Sequence, residues 1–410
     1  MKLSERLRTF TTRVKSYFVS DQVRSFVLFL EDFFPSGKIF GLYGFTFFDG
    51  LQNSVNQRRQ KQFFWISVAV IVTLISLLAS NFMVNATKPE KLTEATESYT
   101  WMSGFIMVLV KTYFLCSQKR AAIRKILHRL DQYFPHSNRK QLQFGAIKHY
   151  RYMKKLFRIC LTCYGGIWLH YTYMSLLQLI FGHAFELIAP IYFPFDPLQP
   201  LLYPIFISLQ SWSVLFAALM LTATDSFFCS LICVTSMEFD VLAQKLSQID
   251  PESDENAEKK LQEIIDGYNE LTDIANELEK IFSPLLFVHI FAGIFQLCST
   301  AFLSFSPIRH YLMIKYSITV PLILFHVYSI CFYGEQLQTS SMRVADEAYN
   351  CNWYGKNLKF RKMILLTMLR TQRPQKLTGL KFMNVGLPVF YWSLQIVHSY
   401  YSLLCGLYEH

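Results

Sequence analysis

Seven long apolar runs, at 63–84, 99–116, 156–180, 203–234, 281–305, 311–333 and 387–407, constrain this chain more than any other feature. A bilayer core about 30 Å thick is crossed by roughly 20 residues of helix, and each run approaches or exceeds that length. Inside hydrocarbon the backbone must satisfy its own hydrogen bonds, so the runs are expected to be helices. The ten-residue alternating segments of a membrane barrel do not occur. The expected fold is therefore an all-α membrane protein with seven transmembrane helices.

The segments between the runs set the direction of insertion. Residues 118–158 hold twelve Lys/Arg against one acid, Asp131. Arg58, Arg59 and Lys61 abut the first run, and eight basic residues between Lys356 and Lys381 precede the last. Residues 181–203 contain none. Basic loops stay in the cytoplasm, which places the N-terminus inside and, after seven crossings, the C-terminus outside. The last run continues to the end of the sequence as HSYYSLLCGLYEH, 398–410. The net charge of +11 thus belongs to loops flanking spans, not to a nucleic-acid surface. Charged residues make up 17% of the chain against about 25% for a soluble protein. The opening MKLSERLRTFTTRVK lacks the apolar stretch of a secretory signal, so internal spans are expected to direct insertion. Asn85-Ala86-Thr87 is a glycosylation sequon just outside the first span.

Between the fourth and fifth runs, Leu261, Ile264, Ile265, Tyr268, Leu271, Ile274, Leu278 and Ile281 recur at steps of three and four, with acids on the opposite face. This pattern predicts an amphipathic helix projecting below the membrane from the fifth span. The fourth span is expected to extend down to meet it through Phe239, Leu242 and Leu246. A second cytoplasmic helix is predicted at 357–369, offering Leu358, Met363, Leu366 and Leu369 for an anchor. Whether these stripes pack within one chain or between subunits is open at this level. The expected organisation is a cytoplasmic segment 1–62, spans one to four at 63–235 and a helical extension at 236–280. Spans five and six at 281–333, a cytoplasmic segment 334–386 and the seventh span at 387–410 complete it.

Nothing in the sequence argues for an enzyme: GxGxxG, the P-loop, HExxH and GxSxG are absent. No cofactor or metal is expected, since Cys160-x-x-Cys163 has no further ligands at metal spacing. Ionisable residues within spans mark function. Asp225 falls near the cytoplasmic end of the fourth span. His170, His289, His326 and His398 lack acidic partners at the spacing of a proton relay and are expected to be packed. Aromatic, small and hydroxyl residues gather in the outer halves of four spans: Trp101, Gly104 and Phe105; Tyr171, Tyr173 and Met174; Ser208 and Trp212; Tyr316, Ser317 and Thr319. Apolar walls with a few hydroxyls suit a small hydrophobic ligand, although interfacial aromatic belts give the same composition.

The chain resembles the insect odorant receptors over essentially its whole length. The specific stretches are ADEAYNCNWY at 345–354 and the segment 372–408, where Pro374, Leu377 and Phe382 precede a final helix containing Ser399-Tyr400-Tyr401. The related gustatory receptors carry Thr-Tyr, five residues and then Gln-Phe in that helix; here the positions are Ser399, Tyr400, Gly406 and Leu407. The DRY and NPxxY marks of a G-protein-coupled receptor are missing too, and the orientation is opposite. Relative to the obligate odorant co-receptor (Orco), the chain lacks the longer second cytoplasmic loop, so it looks like a ligand-tuning subunit.

The resemblance implies an odorant-gated, non-selective cation channel in the plasma membrane, assembled as a heterotetramer with the co-receptor and surrounded by lipid. It implies a volatile ligand held in the outer part of spans two, three, four and six. It also implies a pore lined by the last helix, with Leu403 at the gate position, Leu404 as an alternative, Ser399 and Tyr400 deeper, and Glu409 at the outer mouth.

Overall fold

A computed structural model of the chain describes residues 57–88, 91–115, 119–133, 146–181, 185–193, 198–249, 256–305, 310–355 and 357–408. It is almost entirely helical. The first two helices, α1 (Gln57–Asn85) and α2 (Leu92–Tyr113), pair closely, with the Asn81 amide donating to Ser98 Oγ at 2.8 Å. Asn85 of the sequon is buried and donates to Asn81 Oδ1 at 3.1 Å. Part of the basic segment expected to be a loop is instead helix α3 (Arg120–Tyr133). Its buried Ile123, Ile126, Leu127 and Leu130 form one apolar stripe beneath the membrane.

Helix α4 (Ala146–Phe181) starts ten residues before the apolar run at 156, and α5 (Tyr203–Ser247) opens with Pro204 in its first turn. At 1.5 Å per residue, the 45 residues of α5 and the 49 of α6 (Ala257–Phe305) are roughly 68 and 74 Å long. Both overshoot a bilayer core, and their lower halves form the cytoplasmic extension. There the Tyr268 ring packs edge-on against Phe239 at 5.7 Å, and Leu261, Leu271, Ile274 and Leu278 are buried. Arg129 of α3 bridges Glu270 at 2.5 Å and Glu277 at 2.7 Å.

The sixth run, read from sequence as one span, is split into α7 (His310–Ser317) and α8 (Thr319–Asn350). Pro321 explains the break. It has no N–H to offer the carbonyl of Ser317 four residues earlier, so the helical ladder loses a rung there. Helix α9 (Leu358–Thr371) is capped by Asn357, whose side chain accepts from Phe360 N at 2.9 Å. A short hairpin of β1 (Thr378–Gly379) and β2 (Met383–Asn384) turns through Leu380 and Lys381, both at positive φ, and leads into α10 (Leu387–Tyr408).

By length and hydropathy, four stretches qualify as membrane spans among the described residues: Arg59–Asn85, Tyr203–Ser247, Ala257–Ser304 and Leu312–Asn350. Helices α2, α4 and α10 have 22, 36 and 22 residues, and α2 places Glu94, Glu97 and Lys111 within an otherwise crossing-length segment. Glu97 and Lys111 are buried, so each needs a counter-charge from a neighbouring helix.

Candidate ligand site

In the outer half of the bundle α2, α4, α5, α6, α7 and α8 line a cavity of about 110 Å³. Aromatic rings form one wall. Trp101 meets Tyr171 edge-on at 4.7 Å and Phe105 at 5.9 Å, and Tyr171 lies 5.9 Å from Tyr316. Val214, Ala217, Ala218 and Leu221 of α5 face them, small enough to leave space. A largely apolar chamber with a few fixed polar groups is the usual form of a small-molecule site.

Segment 185–193 lies against the outer end of the bundle. Ile188 and Ala189 are buried, and the backbone of Ala189 exchanges two hydrogen bonds with the Gln210 amide at 3.1 and 2.9 Å. The Ile188 carbonyl accepts from Lys315 Nζ at 2.8 Å. Lys315 also pairs with Glu97 at 2.5 Å, and the Tyr316 hydroxyl donates to the same carboxylate at 2.8 Å. Trp101 Nε1 donates to Tyr316 Oη at 3.1 Å, so one chain of bonds joins the aromatic wall to this buried ion pair.

A second ionic cluster adjoins the other end of the cavity, where His326 and Tyr164 belong to its lining. Asp225 of α5 holds Lys111 of α2 at 2.6 Å, His326 of α8 at 2.6 Å and the Tyr164 hydroxyl of α4 at 3.2 Å. His289 of α6 packs its ring 4.1 Å from that of His326. Four helices are thus tied to one carboxylate. Such groups are expensive in a membrane interior unless paired, and here each charge has its counter-charge.

The sequence-predicted residues divide. Trp101, Gly104, Phe105, Tyr171, Tyr316 and Thr319 line the cavity together. Met174, Ser208, Trp212 and Ser317 do not. Trp212 turns toward α1, donating to Ser67 Oγ at 3.3 Å, while Ser208 and Ser317 bond carbonyls of their own helices. Tyr173 is exposed. Thr300 and Gln296 of α6 were missed, as were Tyr164 and His326; polar residues inside an apolar run were the available signal. His326 does have an acidic partner, Asp225, on another helix, which linear spacing could not reveal. His398 is exposed on α10 rather than packed.

The 7tm Odorant receptor family matches residues 91–397, most of the chain. The chain belongs to the insect odorant receptor family. Among its relatives in Drosophila melanogaster, Odorant receptor 85c is 22% identical over 318 residues, covering 74% of this chain and 81% of the relative. Odorant receptor 45a is 26% identical over 373 residues, covering 87% and 94%. The olfactory receptor OR5 of Machilis hrabei, solved in complex with eugenol, superposes with a TM-score of 0.80 at 13% identity. That match covers 93% of this chain and 99% of the other. A second structure of the same olfactory receptor gives 0.75, covering 92% and 97%. The receptor is thus a multi-pass membrane protein and not an enzyme.

Asp225, His289 and His326 offer donor atoms within 4.8 Å of one another, a possible cation site. In the receptor the Lys111 ammonium occupies it, 2.6 Å from Asp225 and 3.3 Å from His326 Nε2. Of the expected pore residues, Ser399 and Tyr400 are exposed on α10. The side chains of Leu403 and Leu404, and all of Glu409, lie outside the described residues. Of the expected anchor, Leu358, Leu366 and Leu369 are exposed and Met363 is half-buried against the core.

Proposed function

We propose that the receptor is a ligand-tuning subunit of an odorant-gated cation channel, with a small hydrophobic odorant bound in the cavity between α2, α4, α5, α6, α7 and α8. The observation that carries this reading is the mostly apolar cavity within a fold shared by a receptor solved with eugenol. The receptor works in the plasma membrane, in a heterotetramer with the odorant co-receptor. Its α10 lines a shared pore gated by Leu403. A ring of leucines closes such a pore by excluding water.

The coupling has a physical route. Helices α6 and α8 supply part of the cavity wall and also pack against α10. A ligand shifts the closed–open balance only by its difference in affinity for the two states, and helices shared by both sites are where that difference is transmitted.

The test fills the chamber. Ala217→Phe places a ring in the space opposite Trp101, and odorant-evoked current in cells co-expressing the co-receptor should fall at least tenfold. Surface labelling should stay near wild type. Undiminished responses from a surface-expressed variant would reject the site, and robust current without any co-receptor would reject the heteromeric assembly.

A further inference from the structure

Resting on that reading of the cavity, the geometry points to the ligand's chemical class and to the residue that selects it. We infer that the receptor is tuned to uncharged odorants bearing one oxygen function, a carbonyl or a hydroxyl, and that the carboxamide of Gln296 in α6 is its hydrogen-bonding partner.

Most polar groups in the wall are already engaged with protein partners. Tyr171 and Thr319 share a hydrogen bond at 2.7 Å, which uses one of their two hydroxyl hydrogens. The Tyr316 hydroxyl donates to Glu97 and accepts from Trp101, which uses both groups. Tyr164 and His326 Nε2 are committed to Asp225. The hydroxyls of Thr100 and Thr300 donate to carbonyls within their own helices. Gln296 is different: among the described residues no hydrogen bond to its carboxamide is found, although it lines the cavity and is only half-buried. An amide offers two donors and an acceptor, so it can give an odorant's oxygen a hydrogen bond that no protein group takes up.

A second observation fixes where the amide sits. A methyl group built on Gly104 would stand 3.0 Å from Gln296 Nε2. The absent side chain at Gly104 is what gives the amide room against α2, on the same wall as Trp101 and Phe105. An odorant stacked on those rings therefore has a donor and an acceptor within reach on its α6 side. Neutrality follows from the rest of the wall. Glu97 is paired with Lys315 and Asp225 with Lys111, leaving no unbalanced charge for an amine or a carboxylic acid to meet.

The experiment uses three probes with one carbon skeleton: ethylbenzene, acetophenone and 1-phenylethanol. Dose–response currents are recorded from the receptor co-expressed with the co-receptor, normalised to surface labelling. Wild type should favour the two oxygenated probes over ethylbenzene. Gln296→Met keeps length and flexibility but removes the hydrogen-bonding groups. It should shrink the EC50 ratio of ethylbenzene to acetophenone about tenfold, the loss of one well-formed hydrogen bond. Gly104→Ala, which displaces the amide from the opposite side, should shift the ratio in the same direction. A ratio unchanged in both variants overturns the assignment, as does a wild type activated by ethylbenzene as readily as by acetophenone. Ala217→Phe separates the two levels. If it abolishes all three responses while Gln296→Met preserves the oxygen preference, the cavity stands and Gln296 falls. If Ala217→Phe changes nothing, both fall.

Discussion

Asp225 concentrates the residue-scale energetics of this receptor, because Lys111, His326 and Tyr164 all converge on its two oxygens from different helices. Replacing a buried ion pair by packed apolar groups is often neutral, whereas removing one partner strands the other and costs about 3–5 kcal/mol. Asp225→Leu should therefore deplete the receptor from the cell surface, measured by labelling an extracellular C-terminal tag. The double variant Lys111→Met with Asp225→Leu should recover most of that loss. If the double is no better than the single, the ammonium is not what destabilises the protein, and the cluster is not a charge-balanced unit. The same logic extends to Lys315 and Glu97, where the ion pair also anchors Ile188 of the outer segment.

At the scale of elements, α8 and the backbone leading into α10 meet in close contact at Gly334. A methyl group on Gly334 would stand 2.3 Å from the carbonyl oxygen of Val385, the backbone just before α10. The neighbouring Glu335 carboxylate accepts from Leu387 N at 3.3 Å, a negative group at a helix N-terminus, where it is favoured. Gly334→Ala must push α8 and the root of α10 apart. It should shift odorant EC50 or basal current at least severalfold while leaving the cavity wall intact. Unchanged gating in a surface-expressed Gly334→Ala would show that this joint does not transmit the signal.

Elements like these were legible to different degrees. The long lower half of α6 was readable because Leu261 to Ile281 keeps an unbroken helical stripe. Helix α3 was hidden by its charges, since five Lys, Arg and His among its 14 residues mask the stripe of Ile123, Ile126 and Leu130. The site was legible only in part. Aromatic and small residues in α2, α4 and α7 could be gathered from composition. The partner of His326 lies 101 residues away in sequence, and only the packing of helices brings it to 2.6 Å.

For the whole molecule, the question is what covers the apolar face that one chain leaves open beneath the membrane. Helix α9 has two sides. Phe360, Ile364, Thr367 and Thr371, spaced by four, three and four residues, are buried against the receptor's own cytoplasmic core. Leu358, Leu365, Leu366 and Leu369 face outward with exposures of 61, 47, 66 and 64%. A leucine surface of this kind suits a protein interface, and in the proposed heteromeric channel the co-receptor's equivalent region would occupy it. Charges placed there should break assembly without unfolding the chain, because no core contact is lost. Leu366→Glu with Leu369→Glu is thus expected to abolish co-purification with the co-receptor and odorant-evoked current, while the detergent-solubilised chain alone melts within a few degrees of wild type. Ile364→Glu supplies the contrast. Burying an unpaired carboxylate in the chain's own core costs several kcal/mol, so that variant should lose the fold itself and melt far lower. If the double leucine variant still co-purifies and conducts, α9 is no subunit anchor, and the receptors are held together by other surfaces.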